Sequence, residues 1–212
     1  MEKLLIFPFN GNGLEAIDCI QGQYELIGFV DDTPEKQGTS TNGYKVFGRD
    51  AFDTYPDAKV LAVPGGPQSF MNRIEIINSL SLARERFATV IHPKASVSSL
   101  ATIGKNVLIM AGVTITSNAT LEDHVCVLPN SVIHHDSVIG AWTLIGSSVV
   151  VAGNVRVGNN CYIGSGSTII NGMEIGDQSL VGLGSNVIRS VPPRARVVGN
   201  PAREINQKIT NR

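Results

Sequence analysis

The stretch SVIHHDSVIGAWTLIGSSVVVAGNVRVG, residues 131–158, repeats itself every six residues. Ile133, Ile139, Ile145, Val151 and Val157 mark the period. It extends in both directions, from Ile91 to Val187, as seventeen aliphatic positions without a slip. Six matches neither the 3.6 of an amphipathic helix nor the alternation of a lone strand, so the chain is an array of short repeated units.

Two further regularities give the unit its shape. Glycine often follows the aliphatic residue (Gly104, Gly140, Gly146, Gly158, Gly164), and the residue two before it is usually small (Ala119, Ser131, Ser137, Ser167). Six residues then read as a short strand and a corner. Three units close one triangular coil whose aliphatic residues stack on the coil below. Glycine is expected at the tight or positive-φ corner, and the small residue where the wall approaches the core. Periodicity is silent on the hand of such a coil.

The bulk composition narrows the function classes. The chain has 212 residues, 42% hydrophobic content and a net charge of −1, which gives no reason to expect nucleic acid as a partner. The apolar run at residues 4–9 is too short for a signal-peptide core or a membrane span, so a cytoplasmic protein without membrane insertion is expected. Cys19, Cys126 and Cys161 are far apart and odd in number, suggesting buried thiols rather than disulfides or a zinc knuckle.

The first ninety residues lack the repeat. Residues 3–9 read as a strand, Gly11 and Gly13 as a tight turn, and Leu14, Ile17 and Ile20 as a helix. Strands at residues 25–30 and 60–63 follow, ending in Asp31-Asp32 and Pro64-Gly65-Gly66, and residues 70–86 read as helical. That order is a small βαβ unit with a parallel sheet, in which ligands bind beyond the carboxyl ends of the strands. Asn10, Gly11, Asn12, Gly13, Asp31, Asp32 and Gly65 collect at that edge as candidate substrate-binding residues. The predicted organisation is a Rossmann-like nucleotide-sugar-binding domain over residues 1–87 and a β-helix with a short C-terminal cap over residues 88–212.

Five landmarks connect this layout to a known family: GFVDD at residues 28–32, the step His92-Pro93 into the repeats, HDSVIG at residues 135–140, AGNVRVG at residues 152–158, and VPPRARVVGNPA at residues 191–202. In these the chain resembles the hexapeptide-repeat sugar acetyltransferases of the bacillosamine and sialic acid acetyltransferase type. The resemblance implies a left-handed parallel β-helix, a homotrimer, and acetyl-coenzyme A bound as co-substrate in the groove between neighbouring β-helices. It places the catalytic base at His135 with Asp136 as its orienter, the backbone amide that meets the thioester oxyanion at Gly153, and coenzyme-lining positions at Gly153, Ser165 and Leu183. His134 stands where some relatives carry a carboxylate, and reads as a substrate contact or a solvated side chain.

The chemistry of the triplet agrees with those roles. Histidine titrates near neutrality and can take a proton from an attacking amine or hydroxyl, and an adjacent carboxylate fixes its tautomer. Three adjacent side chains on extended backbone do not converge easily on one ion, so no metal is expected. His124 reads as a surface residue and His92 as the start of the first coil. The family's opening glycine-histidine turn is altered here, with Pro8 for its first glycine and Asn12 for its histidine. Leu128 stands where relatives carry asparagine seven residues before the base. The expected activity is acetyl-coenzyme A-dependent N-acetylation of a nucleotide-linked deoxyamino sugar in bacterial surface glycan synthesis. The rivals are O-acetylation of a sialic-acid-like sugar and a non-catalytic hexapeptide scaffold.

Overall fold

The computed structural model describes residues 1–40 and 42–205. The N-terminal part comprises β1 (Glu2–Phe7), α1 (Gly11–Cys19), β2 (Tyr24–Val30), β3 (Gly38–Thr39), β4 (Lys45–Phe47), α2 (Ala51–Thr54), β5 (Lys59–Ala62) and α3 (Arg73–Asn78). Its sheet runs β3-β4-β2-β1-β5. The pairs of β1 with β2 and β5, and of β2 with β4, are parallel, but β3 is antiparallel to β4. The sheet is therefore mixed, not wholly parallel as expected.

Gly11 and Gly13 belong to the first turn of α1 instead of a free turn. Asn10 caps that helix, its side chain accepting from the Gly13 N–H at 2.9 Å. A Cβ on Gly13 would lie 2.6 Å from the Pro8 carbonyl, so the packing of the helix on its own strand requires glycine there. The helical expectation for residues 70–86 resolves into α3 flanked by 3₁₀ turns at Phe70–Asn72 and Arg84–Arg86. Ser81, at φ 53°, lies between them.

From Val90 onward the chain is a solenoid of two-residue strands in three parallel sheets, as a left-handed parallel β-helix has them. The first face holds Val90–Ile91, Leu108–Ile109, Cys126–Val127, Leu144–Ile145, Tyr162–Ile163 and Leu180–Val181; the second begins at Ser96–Val97 and the third at Thr102–Ile103. Partners in register stand eighteen residues apart, such as Val132 with Val150. The aliphatic residues of the period fill the interior, from Ile109 to Val187 almost without exposure.

The small residues of the repeat do more than save space. Ser131 Oγ donates to the Gly146 carbonyl at 2.6 Å and accepts the Val149 N–H at 3.0 Å. Ser137, one hexad on, and Ser167, two coils on, repeat the arrangement, so these buried hydroxyls stitch coil to coil with both capacities satisfied.

The left-handed backbone of the corners falls elsewhere than the glycine pattern suggests. It sits three residues after the aliphatic, at Asn106, Asn118, His124, Asn130, Asp136, Trp142, Asn154 and Asn160 among others. The glycines directly after the aliphatic serve close approach instead: a Cβ on Gly140 would lie 2.6 Å from the Gly158 backbone of the next coil. Asparagine tolerates left-handed φ well, which accounts for its frequency at these corners.

The N-terminal domain packs on the first face. Val90, Leu108, Cys126, Leu144 and Leu180 of that face share one core with Leu4, Ile6, Ala16 and Phe29. Polar locks hold the contact at the edge between the third and first faces. Asn106 accepts the Ala62 N–H and donates to the Ala62 carbonyl, at 2.7 and 2.8 Å. Arg73, 0% exposed, has no carboxylate partner; its guanidinium donates to the carbonyls of Pro64, His124 and Trp142. Burial pushes its pKa down to about 10.

His124 belongs to this junction and is not the surface residue expected from sequence. Its ring stacks on Trp142 at 5.3 Å and meets the edge of Phe87 at 5.2 Å. Nδ1 accepts from Asn106 Nδ2 at 3.0 Å, a donor already committed to the Ala62 carbonyl, so the imidazole is neutral with its proton on Nε2. Burial, helped by Arg73 and Arg84 and opposed by Asp123, pushes the pKa down to about 4. A histidine with a depressed pKa binds its proton in the unfolded chain first, so stability is lost as pH falls from about 6.5 to about 4 and levels off below. Urea unfolding at pH 7 and pH 4.5 should show this loss, and His124→Asn, which keeps a residue suited to left-handed backbone, should reduce it.

Candidate active site

The three edges of the solenoid carry different chemistry. The edge between the second and third faces holds His134, His135 and Asp136, then Gly153 and Asn171 in the following coils. Asp136 has φ 60°, and this left-handed turn folds its carboxylate back along the edge. His135 Nδ1 lies 2.7 Å from Asp136 Oδ2. Because a carboxylate only accepts, the Nδ1 proton is the donated one and Nε2 is left with a free lone pair. The hydrogen bond from His135, followed by one from Asn118, holds the Asp136 carboxyl below the usual carboxylate range. His135 is 53% exposed on its side chain, open to a substrate.

Gly153 completes the arrangement. A Cβ on it would lie 2.6 Å from both Cε1 and Nε2 of His135 and 3.2 Å from Asn171 Nδ2. The basic edge of the imidazole therefore rests directly over this residue. Of the equivalent amides, those at Lys105, Ala141, Ser147 and Asn159 are capped by side chains eighteen residues on, from Asp123, Asn159, Ser165 and Asp177, whereas those at Ser117, His135, Ser165 and Asn171 have no acceptor among the described residues. Among the described residues, the Gly153 N–H has no such acceptor. The imidazole of His135 thus lies against a residue whose amide donor is uncapped. Such a pair can take a proton from a nucleophile and hold the oxyanion formed beside it.

The other sequence-derived residues lie apart from this pair. Ser165 and Leu183 sit on the edge between the first and second faces, Leu183 71% exposed and Ser165 Oγ accepting from the Ser147 N–H at 3.0 Å. His134 is half-buried beside its neighbour, its backbone in the sheet. Of the N-terminal candidates, Asn12 and Gly65 lie against the first sheet. Asn12 Nδ2 donates to the Gly65 carbonyl at 3.3 Å, and a gap of about 80 Å³ opens beside both, against Leu128, Gly146 and Tyr162. Gly65, at φ 103°, also lies too close to the Arg73 side chain for any Cβ. Gly11 is exposed and open.

The two aspartates are both engaged. Asp31, 3% exposed, accepts the Phe9 and Thr33 N–H groups and the Lys36 ammonium. Burial raises its pKa, but the hydrogen bonds from Thr33 and Lys36 outweigh it and hold the carboxyl low. Asp32 makes a two-pronged pair with Arg49 at 2.6 and 2.7 Å. Neither carboxylate is a free acceptor in this structure.

Sequence reasoning missed three features. Asn118 and Asn171 flank the His135 pair but carry no motif, because their nearness follows only from the eighteen-residue coil. A hollow of about 530 Å³ lies on the third face beside Arg84, Glu122 and Trp142, away from His135. Among the described residues no group of three or more His, Cys, Asp or Glu could hold a metal ion, and no helix is long and apolar enough to cross a membrane.

The solenoid is one of hexapeptide repeats: residues 100–135, 118–153 and 136–171 match the family model of the bacterial transferase hexapeptide (six repeats). The chain, both parts together, shares its fold with solved structures that include acetyltransferases. A GDP-perosamine N-acetyl transferase from Caulobacter crescentus, in complex with CoA and GDP-perosamine, is 23% identical, with a TM-score of 0.86 over 98% of each chain. The acetyltransferase domain of PglB from Neisseria gonorrhoeae FA1090, in complex with acetyl coenzyme A, is 25% identical, with a TM-score of 0.84 over 96% of this chain and 99% of that one. WeeI from Acinetobacter baumannii AYE is 24% identical, with a TM-score of 0.82 over 97% and 100%. No curated protein sequence matches the chain.

Proposed function

We propose that this chain is an acetyl-coenzyme A-dependent N-acetyltransferase, acting in the cytoplasm on the amino group of a nucleotide-linked deoxyamino sugar for bacterial surface glycan synthesis. The observation that carries the reading is the His135–Asp136 pair seated over the uncapped Gly153 amide. The substrates named for the structures of like fold, GDP-perosamine with CoA and acetyl coenzyme A, supply its chemical class.

The step follows from the geometry. The amino nitrogen attacks the thioester carbonyl carbon while His135 Nε2 accepts its proton, and Asp136 stabilises the imidazolium. Negative charge gathers on the carbonyl oxygen, where the Gly153 N–H donates to it. Collapse of that intermediate breaks the C–S bond, and the coenzyme thiolate takes the proton back from His135. No acyl-enzyme forms.

The site is completed by a second chain of a homotrimer. The first face is covered by the N-terminal domain and the third carries Arg156 and Glu174. The second presents Ser96, Thr114, Val132, Val150, Thr168 and Asn186, with no charge among them. Turning the second faces toward one axis brings the His135 edge of one subunit beside the Ser165–Leu183 edge of the next, a heterologous contact that closes after three copies. The coenzyme lies in the groove so formed. The neighbour's Asn10–Gly13 segment and Gly65, with His134 from the base's own edge, approach the sugar nucleotide.

Thiol release from acetyl-coenzyme A tests the reading. It should require a nucleotide-linked amino sugar, and the analogue with hydroxyl in place of the amine should be inert. Faster turnover on a free sialic acid than on any nucleotide-linked amine would replace the reading with O-acetylation.

A further inference from the structure

We propose that Asn118 is a positioning residue for the catalytic pair: its side-chain amide holds the Asp136 carboxylate so that one oxygen is always turned to His135. The proposal rests on the acetyl-transfer reading for its kinetic consequence but not for its geometry. Asn118, Asp136, Asn154 and Gly172 form a column of left-handed corners, at φ 59°, 60°, 58° and 72°, each one coil above the last. Left-handed backbone alone would explain an asparagine at 118. It does not explain the contact made there: Asn118 Nδ2 donates to Asp136 Oδ1 at 3.0 Å, while Asp136 Oδ2 takes the His135 Nδ1 proton at 2.7 Å. Asn154, in the same column, makes no side-chain hydrogen bond among the described residues.

The chain of donors has one direction. The Asn118 amide occupies Oδ1, so the carboxylate cannot rotate away from the imidazole without breaking a hydrogen bond to a charged acceptor. Nδ1 of His135 stays the protonated nitrogen and Nε2 stays the base over Gly153. All of these groups are solvent-exposed, so orientation, not burial, sets the tautomer.

Two substitutions test this without disturbing the left-handed corner. Asn118→Asp is isosteric and replaces the donor by a second carboxylate beside Asp136; Asn118→Gly removes the side chain. The first readout is a ring-nitrogen NMR titration of His135 in the purified trimer, which needs no turnover. Asn118→Asp should move that titration to higher pH, because added negative charge favours the imidazolium. The acid limb of the kcat profile should move with it. Asn118→Gly should lower kcat about tenfold with KM for the coenzyme unchanged. Titration curves that coincide in the wild type and both variants would overturn the proposal, as would an unchanged kcat and pH profile in an active enzyme. A shifted titration in a protein that acetylates no amino sugar would uphold the positioning role and refute the acetyl-transfer reading.

Discussion

Replacing His135 by alanine should lower kcat about 10²- to 10⁴-fold, the loss typical of a positioned general base, while leaving the trimer and coenzyme binding in place. The side chain is exposed and, among the described residues, hydrogen-bonds only to Asp136, so the fold does not depend on it. Asp136→Asn should cost less, because the imidazole still accepts a proton but has lost the carboxylate that fixes its tautomer. His134→Ala separates the two neighbouring histidines. It should alter KM for the sugar rather than kcat, since only His135 is turned toward Gly153. Steady-state assays at saturating coenzyme check all three, and an active His135→Ala beside an inactive His134→Ala would reverse the assignment.

Gly153→Ala should be nearly as damaging, for a steric reason. Its backbone lies outside the left-handed region, so alanine brings no conformational strain. The added methyl would stand 2.6 Å from Cε1 and Nε2 of His135, well inside contact distance, and the ring must swing away. That swing separates the base from the amide and pulls Nδ1 from Asp136. Loss of the aligned oxyanion donor together with the base predicts a fall in kcat of about 10²- to 10³-fold. Thermal unfolding should barely change, because the imidazole moves into solvent. An enzyme with near-normal kcat would mean that the ring does not work from this position.

The solenoid was legible because its determinant is one-dimensional. Every interior aliphatic from Ile103 to Val187 recurs at a fixed interval, and the pairing of coils follows from the period alone. The glycines were read correctly as tight places but wrongly as left-handed ones. A close approach such as that of Gly140 to Gly158 joins residues eighteen apart and leaves no local mark. The docking face was also written in the sequence, as Val90, Leu108, Cys126, Leu144, Tyr162 and Leu180, outward residues at a spacing of eighteen. It is visible only once the coil length is taken as a second period.

The N-terminal part was less legible. Strands β3 and β4 are two and three residues long and carry no alternation to read. Asp31 and Asp32 stand where an open α/β sheet binds ligands, but Lys36, in a 3₁₀ turn at Pro34–Lys36, and Arg49, in the turn after β4, occupy them. Of the site, the base, its carboxylate and the amide were all assigned by resemblance, on the HDSVIG and AGNVRVG landmarks. The nearness of Asn118 to Asp136 is a product of coil geometry, which no local pattern encodes.

Acetyl transfer by mixed trimers measures most directly whether the base of one chain works with the groove of another. His135→Ala lacks the base and Leu183→Asp places a charge in the proposed coenzyme groove of the opposite edge, so under the proposed trimeric arrangement each homotrimer should be inactive. Coexpressed in equal amounts, the two should form trimers in which an intact His135 edge meets an intact Leu183 edge at about one quarter of the boundaries. Acetyl transfer to a nucleotide-linked amino sugar should then return to about a quarter of the wild-type rate. Mixed trimers with no more activity than their parents would show that each chain holds a whole site of its own.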